Sequence, residues 1–142
     1  MKVTKEITFD SAHMLSYYDG KCANLHGHTY RLQVTLEGEV SDISHMVVDF
    51  NVLKQILKEE VMDRFDHAVL FSNHELQNEA EQNLCAWAMT HDMNYVVLPG
   101  KTTCEDMAPY IRDLIQQNIE AKLIHAVVSV RLWETPTSFA EC

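Results

Sequence analysis

The feature that most constrains the fold of this chain is a long run of strictly alternating side chains in its first third. Apolar and polar residues alternate from Tyr30 to Glu37. A period of two predicts a β-strand with one buried and one exposed face. Extended backwards, this strand includes His26-Gly27-His28, whose two histidines share the parity of Tyr30. Both imidazoles are therefore expected at one end of an apolar sheet face, where they can bind one ion together.

A third candidate ligand precedes this strand. His13, at the end of the sequence FDSAH, gives the spacing His-x12-His-x-His. Three protein ligands and an open fourth position are typical of a catalytic zinc, whereas a structural zinc is normally closed by four ligands. Cys22 can be that fourth ligand or a thiol activated beside the metal as base or nucleophile, and we favour the second role. The sequence thus predicts Zn²⁺ held by His13, His26 and His28.

Length and composition narrow the class of protein. The 142 residues, 46% of them hydrophobic, predict a single domain (1–142) that is small for an enzyme enclosing its own substrate, so self-association is expected. A formal net charge of -10 argues against nucleic acid and anionic membranes as partners and favours a small-molecule substrate. No apolar run is long enough for a bilayer, and neither a signal peptide nor a disulfide spacing is present, which predicts a cytoplasmic protein.

The remaining periodicities predict an α+β fold. Further strands are expected at 3–10, 47–50, 95–98 and 126–133, the last running into Glu134. Helical spacing predicts one helix up to Phe65, capped by Asp49 or Asn51, and a shorter one that ends near His91. A Thr-x-x-Glu capping box at 102–105 predicts a third helix, which Pro109 should bend or delay. This order of elements favours an antiparallel sheet with helices on one face.

The motifs FDSAH, CANLHGHTY, DFNVLK, DHAVL, TTCEDMA and WET, in this order, resemble the 6-pyruvoyltetrahydropterin synthase family, especially its bacterial branch of 6-carboxytetrahydropterin synthases in queuosine biosynthesis. The resemblance spans almost the whole chain. It implies a tunnelling fold, with a four-stranded antiparallel sheet and two main helices on one face. Neighbouring subunits would complete a β-barrel, commonly as a hexamer of two stacked trimers with active sites between subunits. The segment from Phe71 to Lys101 is longer than in compact bacterial members, so the resemblance does not predict which residues form the rim of the pocket.

The resemblance also implies roles for individual residues. The residues matching His13, His26 and His28 bind zinc, those matching Cys22, Asp66 and His67 form a proton-transfer triad, and those matching Glu134, Glu105 and Thr103 bind the pterin. On physical grounds adjacent residues do not orient each other easily, so Asp66 is left free to act elsewhere than on His67. A triphosphate also needs cations, for which Lys21, Lys101 and Arg131 are candidates.

The function that the resemblance implies is a zinc-dependent lyase. It would convert 7,8-dihydroneopterin triphosphate to 6-carboxy-5,6,7,8-tetrahydropterin, with release of acetaldehyde and triphosphate. The alternatives are a 6-pyruvoyltetrahydropterin synthase, an aldolase acting on unphosphorylated dihydroneopterin, and a non-catalytic zinc-stabilised pterin-binding module. The joint presence of Cys22, His67 and Glu134 favours catalysis over binding alone.

Overall fold

Two long strands form the centre of the fold in a computed structural model that describes all 142 residues. Strands β1 (Lys2–His13) and β2 (His26–Gly38) are antiparallel, and their register pairs Phe9 with Tyr30 and His13 with His26. The other long strand, β5 (Ala126–Thr135), is antiparallel to β2, and a hairpin connects it to β6 (Ser138–Glu141). Strands β1, β2 and β5 explain the alternation in the sequence, because one face of each is more buried than the other.

The sheet has six strands, so the expectation of four is wrong. Strand β3 (Ala68–Phe71) lies beside the end of β1 and strand β4 (Tyr95–Val97) beside β3, both parallel to their neighbours, in the order β4-β3-β1-β2-β5-β6. Both added strands are short apolar runs whose partners lie far away in the sequence. The sheet is therefore mixed, which a pattern of local alternation does not predict.

The predicted strand at 47–50 is also wrong. The Asp49 side chain accepts a hydrogen bond of 2.7 Å from the Asn51 backbone N–H, so a helix begins at Phe50 instead. This helix, α1 (Phe50–Leu57), passes through a π-helical turn (Lys58–Met62) into α2 (Asp63–Phe65). Helix α3 (Glu79–Thr90) ends beside His91, as predicted, and α4 (Cys104–Ala121) continues through Pro109. None of the helices has the length and hydropathy that crossing a bilayer requires.

The main core lies between one face of the sheet and helices α1 and α4. Buried residues of β1, β2 and β5 pack there against buried residues of the two helices, including Leu53, Ile111 and Ile115. A smaller cluster forms on the other face, where Phe71 of β3 packs against Cys85 and Ala88 of α3. The two main helices thus lie on one face, as expected, and α3 covers the opposite face at the β3–β4 end.

Two adjacent valines of β5 test this assignment of faces. Val128 is 4% exposed and belongs to the core, whereas Val127 is 69% exposed on the other face. We expect Val128→Ala to lower the free energy of unfolding by about 2–3 kcal/mol, because it removes buried methyl groups and leaves a cavity. Val127→Ala is the matched control and should change it by less than about 0.5 kcal/mol. Chemical denaturation of both variants measures the difference, and equal losses would contradict the described faces.

Candidate metal centre and active-site pocket

Three histidines converge at the end of the β1–β2 pair, on the face that carries the core. His13 pairs with His26 across the strands, and His28 lies two residues further along β2 with the same parity. One ring nitrogen from each of the three lies within 4.8 Å of those of the other two. The Nε2 atoms of His13 and His26 are 3.2 Å apart. The structure therefore brings together all three residues predicted as metal ligands.

Backbone carbonyls fix the orientation of two of these rings. The Nδ1 atom of His13 lies 2.8 Å from the Thr102 carbonyl oxygen, and that of His26 lies 2.8 Å from the Asn24 carbonyl oxygen. Because a carbonyl only accepts, each Nδ1 donates and each Nε2 keeps its lone pair for another partner. The Nε2 atom of His28 is buried without any hydrogen-bond partner. Carbonyl acceptors of this kind orient metal-ligating histidines in many proteins.

Burial keeps the rings of His13 and His28 in the neutral form that binds metals. Desolvation lowers the pKa of His13 to about 4, with smaller contributions from His26 and His28, against the opposing effect of the Thr102 carbonyl. Burial also lowers the pKa of His28, although Glu134 counteracts it. Two neutral rings whose lone pairs face each other at 3.2 Å repel unless a cation lies between them. Ligands of a tetrahedral ion bound at about 2.0–2.1 Å lie about 3.3 Å apart, so the separation of the His13 and His26 nitrogens fits such an ion.

Glu134 connects this cluster to a small pocket. Its Oε1 atom lies 3.7 Å from His13 Nε2 and 3.8 Å from His28 Nε2. The pocket has a volume of about 260 Å³. Its walls are formed by Leu15, Thr103, Cys104, Glu105, Glu134, Ser138 and Phe139. All three residues predicted to bind a pterin, Thr103, Glu105 and Glu134, therefore line one cavity beside the histidines.

Cys104 forms part of that cavity as an uncharged thiol. Burial raises its pKa to about 12, and the nearby carboxylates of Glu134 and Glu105 raise it in the same direction. A thiol with such a pKa is protonated at neutral pH and is a poor nucleophile.

Cys22 lies in a 3₁₀ turn (Lys21–Ala23) on the loop between β1 and β2. Its carbonyl oxygen accepts a hydrogen bond of 2.9 Å from the backbone N–H of Leu15, a residue of the pocket wall. The thiol is half-buried and does not belong to the histidine cluster. Cys22 is therefore not among the candidate metal ligands that the structure groups together.

Asp66 and His67 contact each other directly, so the expectation that adjacent residues would not do so is wrong. Asp66 Oδ2 lies 3.0 Å from His67 Nδ1. His67 has a left-handed backbone with φ 57°, which turns its ring back towards the preceding side chain. The backbone of Asp10 holds this turn, since its N–H donates to Asp66 Oδ1 at 2.9 Å and its carbonyl accepts from His67 N–H at 2.7 Å. The Asp10 N–H and, to a lesser extent, His67 lower the pKa of Asp66.

This Asp–His pair does not line the Glu134 pocket, and His67 instead lines a groove that also reaches His28. The His67 side chain is 78% exposed in a groove of about 450 Å³ beside Asp10, Gly27 and Thr29. Those neighbours have the opposite strand parity to His13, His26 and His28, so the groove lies on the other face of the sheet. Within one chain, the three candidate metal ligands lie beside the Glu134 pocket, whereas the Asp–His pair lies outside that pocket.

The three predicted cations lie on different parts of the chain, with Arg131 on β5. Arg131 forms an ion pair of 2.6 Å with Glu141. Lys21 and Lys101 are exposed at the Cys22 turn and just before the pocket residue Thr103.

Sequence reasoning missed the contacts of Thr102. Its hydroxyl donates to the Met14 carbonyl at 3.0 Å, and its own carbonyl orients His13. The predicted capping box at 102–105 is therefore wrong, because Thr103 is the N-cap of α4 and makes no side-chain capping bond. The Thr-x-x-Glu pattern correctly located the start of a helix, but the carbonyl of Thr102 orients the His13 ring instead of its side chain capping α4.

Comparison with known proteins places the chain in a family. The profile of the family described as 6-pyruvoyl tetrahydropterin synthase matches residues 2–142. The 6-carboxy-5,6,7,8-tetrahydropterin synthase of Haemophilus influenzae is 38% identical over 143 residues, which cover 99% of this chain and 96% of that protein. A putative 6-carboxy-5,6,7,8-tetrahydropterin synthase of Pyrococcus abyssi is 35% identical, over 97% of this chain and 85% of that protein.

Solved structures agree on the fold. A 6-pyruvoyltetrahydropterin synthase from Plasmodium vivax superposes with a TM-score of 0.78 at 20% identity, over 100% of this chain and 96% of that chain. The Caenorhabditis elegans 6-pyruvoyl tetrahydropterin synthase gives a TM-score of 0.69 at 25% identity, over 100% and 94% of the two chains. With a family profile that spans residues 2–142 and relatives alike over nearly their whole length, this chain belongs to the 6-pyruvoyl tetrahydropterin synthase family.

Proposed function

We propose that the chain is a zinc-dependent lyase that converts 7,8-dihydroneopterin triphosphate and water to 6-carboxy-5,6,7,8-tetrahydropterin, acetaldehyde and triphosphate, as a step towards queuosine. The observation that carries the proposal is the position of Glu134, which lies against two of the three histidines and also lines the adjacent pocket. A ring held by this carboxylate would have its side chain next to the metal ligands. The names of the two curated relatives described above support this product.

The pocket offers groups that suit a pterin. The Glu134 carboxylate can accept two parallel hydrogen bonds from a ring N–H and the exocyclic amine, a pattern that a lysine or arginine cannot accept. Thr103 and Glu105 at the pocket wall add polar partners, and Leu15 and Phe139 supply apolar surface for the ring. Glu134 thus sets the orientation of the ring, and the orientation sets which carbon faces Cys22.

The chemistry needs a proton acceptor beside the metal. A zinc ion held by His13, His26 and His28 would polarise a side-chain oxygen of the substrate and so acidify the neighbouring C–H. Cys22, whose turn is bonded to Leu15 of the pocket wall, is proposed to take that proton as a thiolate. His67, oriented by Asp66, is proposed to exchange protons with the substrate oxygens.

We propose that several copies of the chain assemble, because His67 lies outside the pocket that Glu134 lines. An Asp–His pair outside the Glu134 pocket is placed to serve the active site of another subunit. The fold has edges for such contacts. Strand β1 pairs with β3 only at Ser11 and Ala12, so residues 2–9 have no strand partner on that side, and β6 is the opposite edge. We propose that these edges pair between copies into a β-barrel, as a hexamer of two trimers.

Two other readings use the same site. A 6-pyruvoyltetrahydropterin synthase would keep all the carbons of the side chain, and a non-catalytic module would release no product.

The four cysteines are free, which suits a reducing compartment, and we propose the cytoplasm.

A product assay tests the lyase directly. Incubation of the zinc-loaded protein with 7,8-dihydroneopterin triphosphate should yield acetaldehyde and 6-carboxytetrahydropterin in equal amounts, measured by chromatography and an aldehyde assay. We expect Cys22→Ala to keep its zinc and to lose about 10²–10⁴-fold in kcat, because it removes the proton acceptor. Cys85→Ala, which removes a thiol packed under α3, is the control and should stay active. A pyruvoyl product, or full activity of Cys22→Ala, would contradict the proposal.

The shared active site predicts complementation between two inactive variants. Cys22→Ala and His67→Ala should each be inactive alone. Co-expressed in equal amounts, they should recover about a quarter of the wild-type activity, because one in four sites then combines an intact Cys22 with an intact His67 from a neighbour. Activity per subunit, with the assembly checked by light scattering, measures the effect. A mixed assembly that stays inactive would show that both residues act within one chain.

The buried histidines predict a pH dependence of the metal-free protein. The pKa of His13 is about 4 in the folded chain against 6.5 in its ordinary state, so the unfolded chain binds the proton first as the pH falls. Folding stability should therefore be complete above pH 6.5 and decrease as the pH falls towards 4. Between pH 7 and pH 5 the loss from His13 is about 2 kcal/mol.

Chemical denaturation after chelation of the metal measures this loss. His13→Gln should remove most of it, whereas His74→Gln, at an exposed turn, is the matched control and should retain it. An unchanged loss in His13→Gln would contradict the described burial of this ring.

A further inference from the structure

Helix α3 carries a carboxylate in an unexpected place. Glu81 is fully buried and forms no salt bridge. Its Oε1 atom accepts a hydrogen bond of 2.6 Å from the Ser72 backbone N–H, and its Oε2 atom accepts one from the Ser16 hydroxyl. A buried carboxylate is costly unless such bonds satisfy it. Glutamate at this position therefore depends on both partners.

These hydrogen bonds form a capping box in which the Ser16 hydroxyl lies between the glutamate and the N-cap residue of α3. Asn78 is the N-cap of α3, and its side chain accepts from the Glu81 N–H at 2.9 Å. In an ordinary capping box the glutamate would in turn accept from the N-cap N–H. Here the Asn78 N–H donates to the Ser16 hydroxyl at 2.9 Å, and that hydroxyl donates to Glu81. The cap of α3 is therefore complete only when Ser16 is in place.

Ser16 belongs to the loop that connects His13 to the Cys22 turn. The residue before it, Leu15, lines the pocket and donates to the Cys22 carbonyl at 2.9 Å. The residue after it, Tyr17, has a left-handed backbone with φ 61°, and its hydroxyl donates to the Gln77 carbonyl at 3.3 Å. Two consecutive residues of this loop are thus bonded to residues 77–81, which belong to the segment from Phe71 to Lys101.

We propose that Glu81 is a positioning residue for the active site. By holding Ser16 it fixes Leu15 in the pocket wall and, through the Leu15–Cys22 bond, the turn that carries the thiol. The segment from Phe71 to Lys101 then serves to brace the loop from Met14 to Cys22. This inference rests on the proposed roles of Cys22 and the pocket, but it concerns a residue that touches neither the substrate nor the metal.

Glu81→Gln is the direct test, because the amide keeps the size of the side chain but replaces one acceptor with a donor. Its matched control is Glu79→Gln, an exposed glutamate two residues earlier on the same helix. We expect Glu81→Gln to lower kcat/KM about tenfold, since displacement of a reacting group by about 1 Å can cost up to about 10² in rate. The zinc content should stay at the wild-type level, because Glu81 contacts none of the three histidines.

Two readouts do not depend on turnover. The first is the affinity for oxidised neopterin, which should weaken several-fold in Glu81→Gln. The second is the rate at which iodoacetamide alkylates Cys22, followed by mass spectrometry of the peptide that contains it, which should change in the same variant and not in Glu79→Gln. All measurements are made at a temperature at which circular dichroism shows each variant fully folded. Equality of the two variants in these readouts would overturn the proposal.

Ser16→Ala removes the hydrogen bond between Ser16 and Glu81 from the loop side. It provides an independent test if the Glu81→Gln protein does not fold. It should reproduce the weaker neopterin binding and the altered alkylation of Cys22, and the double variant should be no worse than the more affected single variant. Additive effects, or a Ser16→Ala protein with wild-type behaviour, would overturn the proposal. Failure of the wild-type protein to release acetaldehyde would instead overturn the proposed lyase.

Discussion

The site depends on one pairing, the antiparallel register of the first two strands. Because His13 lies opposite His26, the residue that ends one strand meets the residue that begins the next, and the period of two adds His28 on the same face. A slip by one residue would turn both histidines of β2 to the other face and separate them from His13. The stacked pair of Phe9 and Tyr30, with ring centroids 5.2 Å apart, lies deeper in the core and helps to fix this register.

The sequence predicted the site best where local periodicity and spacing determine the structure. Alternation from Tyr30 to Glu37 placed the histidines of β2 on the correct face, and the spacing to His13 predicted the third member of the histidine cluster. The resemblance to a family identified Glu134, Thr103 and Glu105, which no periodicity singles out, and the structure places all three in one cavity.

Prediction failed where the structure depends on distant partners. Strands β3 and β4 are parallel additions whose neighbours are remote in sequence. The contact of Asp66 with His67 requires a left-handed backbone at a histidine, which the remote strand residue Asp10 holds in place. The cap of α3 includes a serine 62 residues upstream of Asn78. In each case the structure is determined by hydrogen bonds between residues far apart in the sequence, which a local sequence pattern does not predict.

The measurement that tests the account most directly is X-ray absorption spectroscopy of the purified, metal-loaded protein. The convergence of three neutral imidazoles predicts one tightly bound divalent ion with three nitrogen scatterers at about 2.0–2.1 Å and a light atom in the open position. A sulfur scatterer at about 2.3 Å would make Cys22 a ligand and remove it as the proton acceptor. A protein that binds no stoichiometric metal would contradict the central claim outright.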